Sequence, residues 1–153
     1  MARIQIERID AERFRSYSES GAVSLLTDAD PEMFWLISGP MREWNIVVAH
    51  AECHLSPEAS LVCDGCAVGA NEWLFYVSRG TVSWKQHLPS RFYSFVREID
   101  GELLIHHEIG FMKIACDGKI RLNEITGLLS TYTLDGDVLN YETFEGDKGT
   151  LRV

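Results

Sequence analysis

The chain is short of positive charge. Its 14 Lys and Arg face 23 Asp and Glu, a net charge of −9 over 153 residues. A field of that sign repels phosphate backbones and anionic head groups, so duplex DNA, RNA and membrane surfaces are not expected as partners. Long apolar runs are missing as well, and none approaches the roughly 20 residues that a bilayer span needs. The segment from Met1 to Glu7 turns charged before an apolar stretch develops, so no secretion signal is read there. There is no Asn-x-Ser/Thr sequon. There is also no G-x-S-x-G elbow, no P-loop and no dinucleotide glycine fingerprint, so nucleophilic and nucleotide chemistry find no support. Cysteine is scarce. Without a secretion signal, the four present are expected as reduced thiols in a cytosolic protein.

What remains is an ordinary apolar fraction of 46%, with four Trp, seven Phe and five Tyr to build a core. A chain of this length suits one domain, residues 1–153, and no linker or break in composition divides it. Ile4-Gln5-Ile6 reads as a short strand. Asp10 is placed to cap a helix through Ala11, Phe14 and Tyr17 that ends at Gly21. Asp30 and Pro31 give a second helix-start signal ahead of Met33-Phe34-Trp35-Leu36-Ile37, with Gly39-Pro40 as its stop. The same five apolar residues also suit a buried strand.

From Trp44 onward the pattern is β. Ile46–Ala49 is β-branched, and Trp73–Val77 and Thr81–Trp84 flank a turn at Arg79-Gly80. Pro89–Ile99 fits helical and alternating spacing alike, and leans to strand because a turn follows. Asp-Gly pairs recur at Asp100-Gly101, Asp117-Gly118 and Asp135-Gly136, 17 and 18 residues apart, with an earlier one at Asp64-Gly65. Asp-Gly suits two-residue turns in which both central residues take positive φ. Looser turns are expected at Gly110, Gly127 and Glu145-Gly146, and Gly65, Gly69 and Gly80 are read as turn glycines. Around Asp135-Gly136, Tyr132, Leu134, Leu139 and Tyr141 should share one face. The expected fold is mainly β, an antiparallel meander from about Trp73 to Val153 with one or two short N-terminal helices. An α+β arrangement is the alternative.

Gly101–Ile105, Ile109–Ile114, Asp117–Arg121 and Gly136–Leu139 together resemble one blade of a β-propeller. His50–Trp84 resembles another more loosely. The resemblance implies a propeller-like fragment, since a chain of this length holds at most three or four blades and its first forty residues do not fit one. It also implies a binding scaffold whose sheet edges are covered by a second copy.

Two clusters carry metal-binding or acid–base residue types. His50, Cys53, His54, Cys63 and Cys66 lie close in sequence, and Cys63-Asp64-Gly65-Cys66 is a C-x-x-C knuckle. Zinc takes four such ligands in a tetrahedron, and Cys53, Cys63, Cys66 and His50 are the expected set if zinc is bound. The bland alternative makes Cys53 a core residue and leaves Cys63 and Cys66 flanking a turn. His106-His107-Glu108 places His106 and Glu108 on one strand face with His107 opposite, an arrangement also common on solvated strands. The acids Asp135, Asp137, Glu142, Glu145 and Asp147 crowd the last hairpins without a calcium-loop spacing. Trp35, Trp44, Trp73, Trp84, Phe92, Tyr93 and Phe95 exceed what one sheet face needs. Some are expected in the core, others in an exposed patch of the kind found at interfaces.

The reading that follows is a non-catalytic binding protein, expected as a homodimer, with an acidic and aromatic surface for a basic protein partner in the manner of an inhibitor or immunity protein. The alternatives are a zinc-binding domain or metal-dependent enzyme built on the cysteine cluster, and a small-molecule-binding β-fold.

Overall fold

A computed structural model of the chain describes residues 3–39 and 45–153. Fifteen strands and one helix are present among them. The elements follow chain order. They are β1 (Gln5–Ile9), α1 (Ala11–Glu19), β2 (Val23–Leu26), β3 (Met33–Ser38), β4 (Ile46–His50), β5 (Glu58–Val62), β6 (Gly65–Ala70), β7 (Trp73–Ser78) and β8 (Thr81–His87). Then come β9 (Phe92–Ile99), β10 (Glu102–His107), β11 (Gly110–Ala115), β12 (Ile120–Ile125), β13 (Leu129–Asp135), β14 (Val138–Thr143) and β15 (Lys148–Arg152). The protein is mainly β, and the sheets are almost wholly antiparallel.

The meander is divided into sheets. The first sheet has the order β1-β3-β4-β2, the second β5-β6-β7-β8, the third β12-β11-β10-β9 and the fourth β13-β14-β15. Among the described residues only β2 and β4 run parallel, because α1 carries the chain from β1 across to the far edge.

The side-chain period of two decides how the sheets stack. On β6 and β7, Cys66, Val68, Phe75 and Val77 pack against Val23, Leu25, Ile37, Ile46 and Val48 of the first sheet. Their neighbours Ala67, Leu74 and Tyr76 face the other way, against Leu103, Ile105, Met112 and Ile114 of the third sheet. Leu104 and Phe111 then meet Leu139, Tyr132, Leu134 and Tyr141 of the fourth. The second sheet is thus covered on both faces, and so β6 is buried at every position; β4 is buried throughout as well, between the second sheet and α1. Gly69 lies inside β6 and Gly65 begins it, so neither is a turn glycine; a Cβ on Gly69 would strike the Phe92 ring.

The same logic corrects the second helix. Met33–Ile37 belongs to β3, which pairs with β1 on one side and β4 on the other. Its Trp35 and Ile37 face the second sheet while Phe34 and Leu36 face α1. A strand covered on both faces is apolar throughout, and five consecutive apolar residues on a helix would turn some to water. Pro40 and Trp44 lie outside the described residues.

The first helix is as the sequence implies. The Asp10 carboxylate accepts from the Arg13 N–H at 2.7 Å, and Phe14 and Tyr17 cover Ile9, Leu36 and Val47. Asp10→Ala is expected to lower global stability by about 1 kcal/mol, measured by urea unfolding, because α1 shields this face of the first sheet.

The hairpin turns divide two ways. Arg79-Gly80 and Asp100-Gly101 carry positive φ at both positions, as two-residue turns between twisted strands require. Around Asp64 and Asp135 the turn residues differ by one from the Asp-Gly pairs, being Cys63-Asp64 and Gly136-Asp137. A one-residue shift at the turn moves each cross-strand pairing by two, so faces survive. Tyr132 still pairs Tyr141 and Leu134 pairs Leu139. Gly110 begins β11, and the turn before it is Glu108-Ile109.

Candidate functional site

One end of the stack is tied together loop by loop. The Asp28 carboxylate accepts from the Ala51 N–H at 2.8 Å and from Asn71 Nδ2 at 3.1 Å. The Leu88 N–H donates to the Glu72 carbonyl, and the Phe92 N–H to that of Asn71. The chain of bonds continues from Glu108 to Arg91, from Thr126 to Ile109 and from Phe144 to Leu128. All four sheets therefore present their loops on one surface. Burial works to raise the Asp28 carboxyl, but donors from Thr27, Ala51 and Asn71 outweigh it and hold the group below its ordinary value.

That surface carries Asp30, Glu32, Glu52, Glu72, Glu108, Glu145 and Asp147 beside Asp28, against Arg91 as the one Lys or Arg on the same described loops. Leu128 and Phe144 stand exposed among the acids, Phe144 at 75%. The opposite end is more balanced: Glu102 pairs with Lys113 and Arg121, Asp117 with Lys119 and Asp137 with Arg152. The acids of the last hairpins are thus split between the two ends and do not form one cluster.

The cysteine and histidine residues do not converge as the zinc set. Cys63 is bonded to Cys116, its partner 53 residues away, which also replaces the expectation of four reduced thiols. Cys66 points into the packing between the first two sheets, and burial pushes its thiol up to about 12. Cys53 and His50 do meet, with Sγ and Nδ1 3.7 Å apart. However, His50 uses both ring nitrogens: Trp35 Nε1–H donates to Nε2 at 2.9 Å, so Nδ1 carries the proton and donates to the Ala51 carbonyl at 2.6 Å. His54 is exposed. Among the described residues no three His, Cys, Asp or Glu side chains gather as a metal cluster.

His106 and His107 face opposite sides of the third sheet, as expected for adjacent strand residues. His106 sits among Tyr93, Phe111 and Tyr132, with ring centroids 5.1–5.4 Å away, and burial lowers its pKa. His107 is fully buried. Its Nδ1 lies 2.8 Å from Ser90 Oγ, which also accepts from the Ile109 N–H. Its Nε2 has no partner among the described residues. Burial, with the neighbouring His106 charge, lowers the His107 pKa to about 4. Among the described residues no carboxylate bonds this imidazole, and Glu108 lies in the turn, not on the strand.

The aromatic residues mostly pack inward. Trp84 stacks on Tyr76 and donates to the Cys116 carbonyl at 2.7 Å. Phe92 and Phe95 pack together between the second and third sheets. Trp35 instead lines a cleft of about 550 Å³ formed with Arg8, Glu32, Glu52, Met33 and Leu55. Neither this cleft nor the Asp28 tie is legible in the sequence. Asp28 and Asn71 are 43 residues apart, and no local pattern links them.

Comparison with known protein families gives no match, and none of the curated proteins matches. Among solved structures the chain is similar to the computationally designed Ika4 protein, at 7% identity over 85% of this chain and 89% of that one, with a TM-score of 0.49.

Proposed function

We propose that the protein is a non-catalytic interaction module whose acidic loop end docks a basic protein partner. The carrying observation is the loop surface itself: eight carboxylates against Arg91 alone on the described loops, with Arg8 of β1 beside Glu32 and Glu52 and exposed Leu128 and Phe144 among the acids. Loops held on a rigid sheet scaffold are a common place for recognition residues, and clustered charge of one sign speeds encounter with the opposite sign. The apolar side chains supply the desolvated centre that an interface needs.

We infer that the sheets form an open, propeller-like arc. Supporting this, they are consecutive, mostly antiparallel units in chain order, and the leading strands β5 and β9 touch where the Phe95 N–H donates to Glu58 at 3.2 Å. The outer face of the fourth sheet carries Thr131, Thr133, Asn140 and Thr150, and a homodimer would use this face or the sheet edges. Light scattering after gel filtration tests that assembly. The Cys63–Cys116 bridge favours an oxidising compartment over the cytosol.

The docking test uses a lysine-rich amphipathic peptide as probe. Its affinity is expected to fall about tenfold between low and moderate salt. Asp30→Asn, Glu108→Gln, Glu145→Gln and Asp147→Asn combined should weaken it by a similar factor. Asp100→Asn with Asp117→Asn, at the opposite end, should leave it unchanged. Equal loss from both sets would reduce the effect to net charge and defeat the assignment.

A further inference from the structure

The cleft under the loop between β4 and β5 has the makings of a small-molecule site. At about 550 Å³ it has the size of a ligand pocket. Its aromatic wall is held rigid: Trp35 lies nearly parallel to His50, at 9°, and is locked by its N–H bond to that ring. His50 is locked in turn by the Ala51 carbonyl. Met33 and Leu55 add apolar wall, and the Cys53 thiol is engaged with the Leu55 carbonyl at 3.3 Å.

Three charged side chains line the cleft, Glu32, Glu52 and Arg8. None forms an ion pair with a described residue. Two free carboxylates against one guanidinium leave the opening negative, within a protein that is itself acidic. A third metal ligand is lacking among the described residues, whereas an aromatic wall beside carboxylates is suited to an organic cation.

We propose that this cleft binds a small alkyl guanidinium or ammonium compound, its charged head between Glu32 and Glu52 and its stem against Trp35, Met33 and Leu55. The site needs no protein partner; Glu32 and Glu52 lie within the acidic loop surface, and the docking test leaves both untouched, so the two proposals fail separately.

Calorimetric titration with n-butylguanidinium tests it, with n-butylurea as a neutral compound of the same shape. Saturable one-to-one binding is expected for the cation only. Glu32→Gln with Glu52→Gln should weaken it by about tenfold or more, as loss of charge-assisted hydrogen bonds predicts. Both side chains are outside the core, so an unchanged melting temperature shows that the fold is retained. Absence of saturable binding, equal binding of the urea, or undiminished affinity in the double variant would each overturn the proposal.

Discussion

Breaking the Cys63–Cys116 bridge, by reduction or in Cys63→Ser/Cys116→Ser, is expected to destabilise the protein by about 4 kcal/mol. The bridge closes a span of 53 residues that includes β6 to β11. Closing a loop of that length removes much of the conformational freedom of the unfolded chain. In the folded state the bridge joins the β5–β6 turn to the β11–β12 turn, fastening the second sheet to the third. For a domain of this size the loss corresponds to a fall in Tm of about 12 °C. Calorimetry with and without reductant measures it. Alkylation of the denatured, unreduced protein should label two cysteines, Cys53 and Cys66, and four after reduction. Four labels without reductant would show that the bridge does not form.

The second large effect is acid sensitivity through His107. In the unfolded chain this imidazole takes up a proton near its ordinary value of 6.5, whereas in the fold it does so only near 4. The unfolded state therefore binds more protons throughout this window, and stability falls as pH drops from about 6.5 toward 4. Above that range the contribution is fully present. Each tenfold difference in proton affinity between the two states is worth about 1.4 kcal/mol, so the loss reaches about 3 kcal/mol. Carboxylates such as Asp28 also lose native stabilisation in acid, so the variant comparison isolates the histidine. His107→Gln keeps a polar partner for Ser90 but cannot titrate. Urea unfolding at pH 7 and pH 4.5 should show a clearly smaller pH difference in the variant than in the wild type. Identical pH differences would assign the acid sensitivity elsewhere.

Much of the fold was written locally. Asp10 capping α1, the paired positive-φ residues at Arg79-Gly80 and Asp100-Gly101, and the shared face of Tyr132, Leu134, Leu139 and Tyr141 all follow from near-neighbour chemistry. Backbone φ preference and a period of two act over a few residues, so such features can be read without knowing what lies opposite. The same holds for the acidity that bears on the choice of partner.

Tertiary structure decided the rest. Met33–Ile37 became a strand because β1 and β4 lie beside it and α1 and the second sheet cover its two faces. Cys63 found Cys116 instead of the nearby Cys66, since stacking the second sheet on the third brings two distant turns together while Cys66 points into the opposite packing layer. Asp28, Asn71 and Ala51 meet at a junction of three loops, and Glu32, Glu52 and Trp35 line one cleft. Sequence alone set most strands of the C-terminal half, the turns at Arg79-Gly80 and Asp100-Gly101 and the sign of the charge. Which strand faces met, and so which thiols bonded and where the acids gathered, was decided by burial of apolar area between sheets, a force that acts on surfaces irrespective of their distance along the chain.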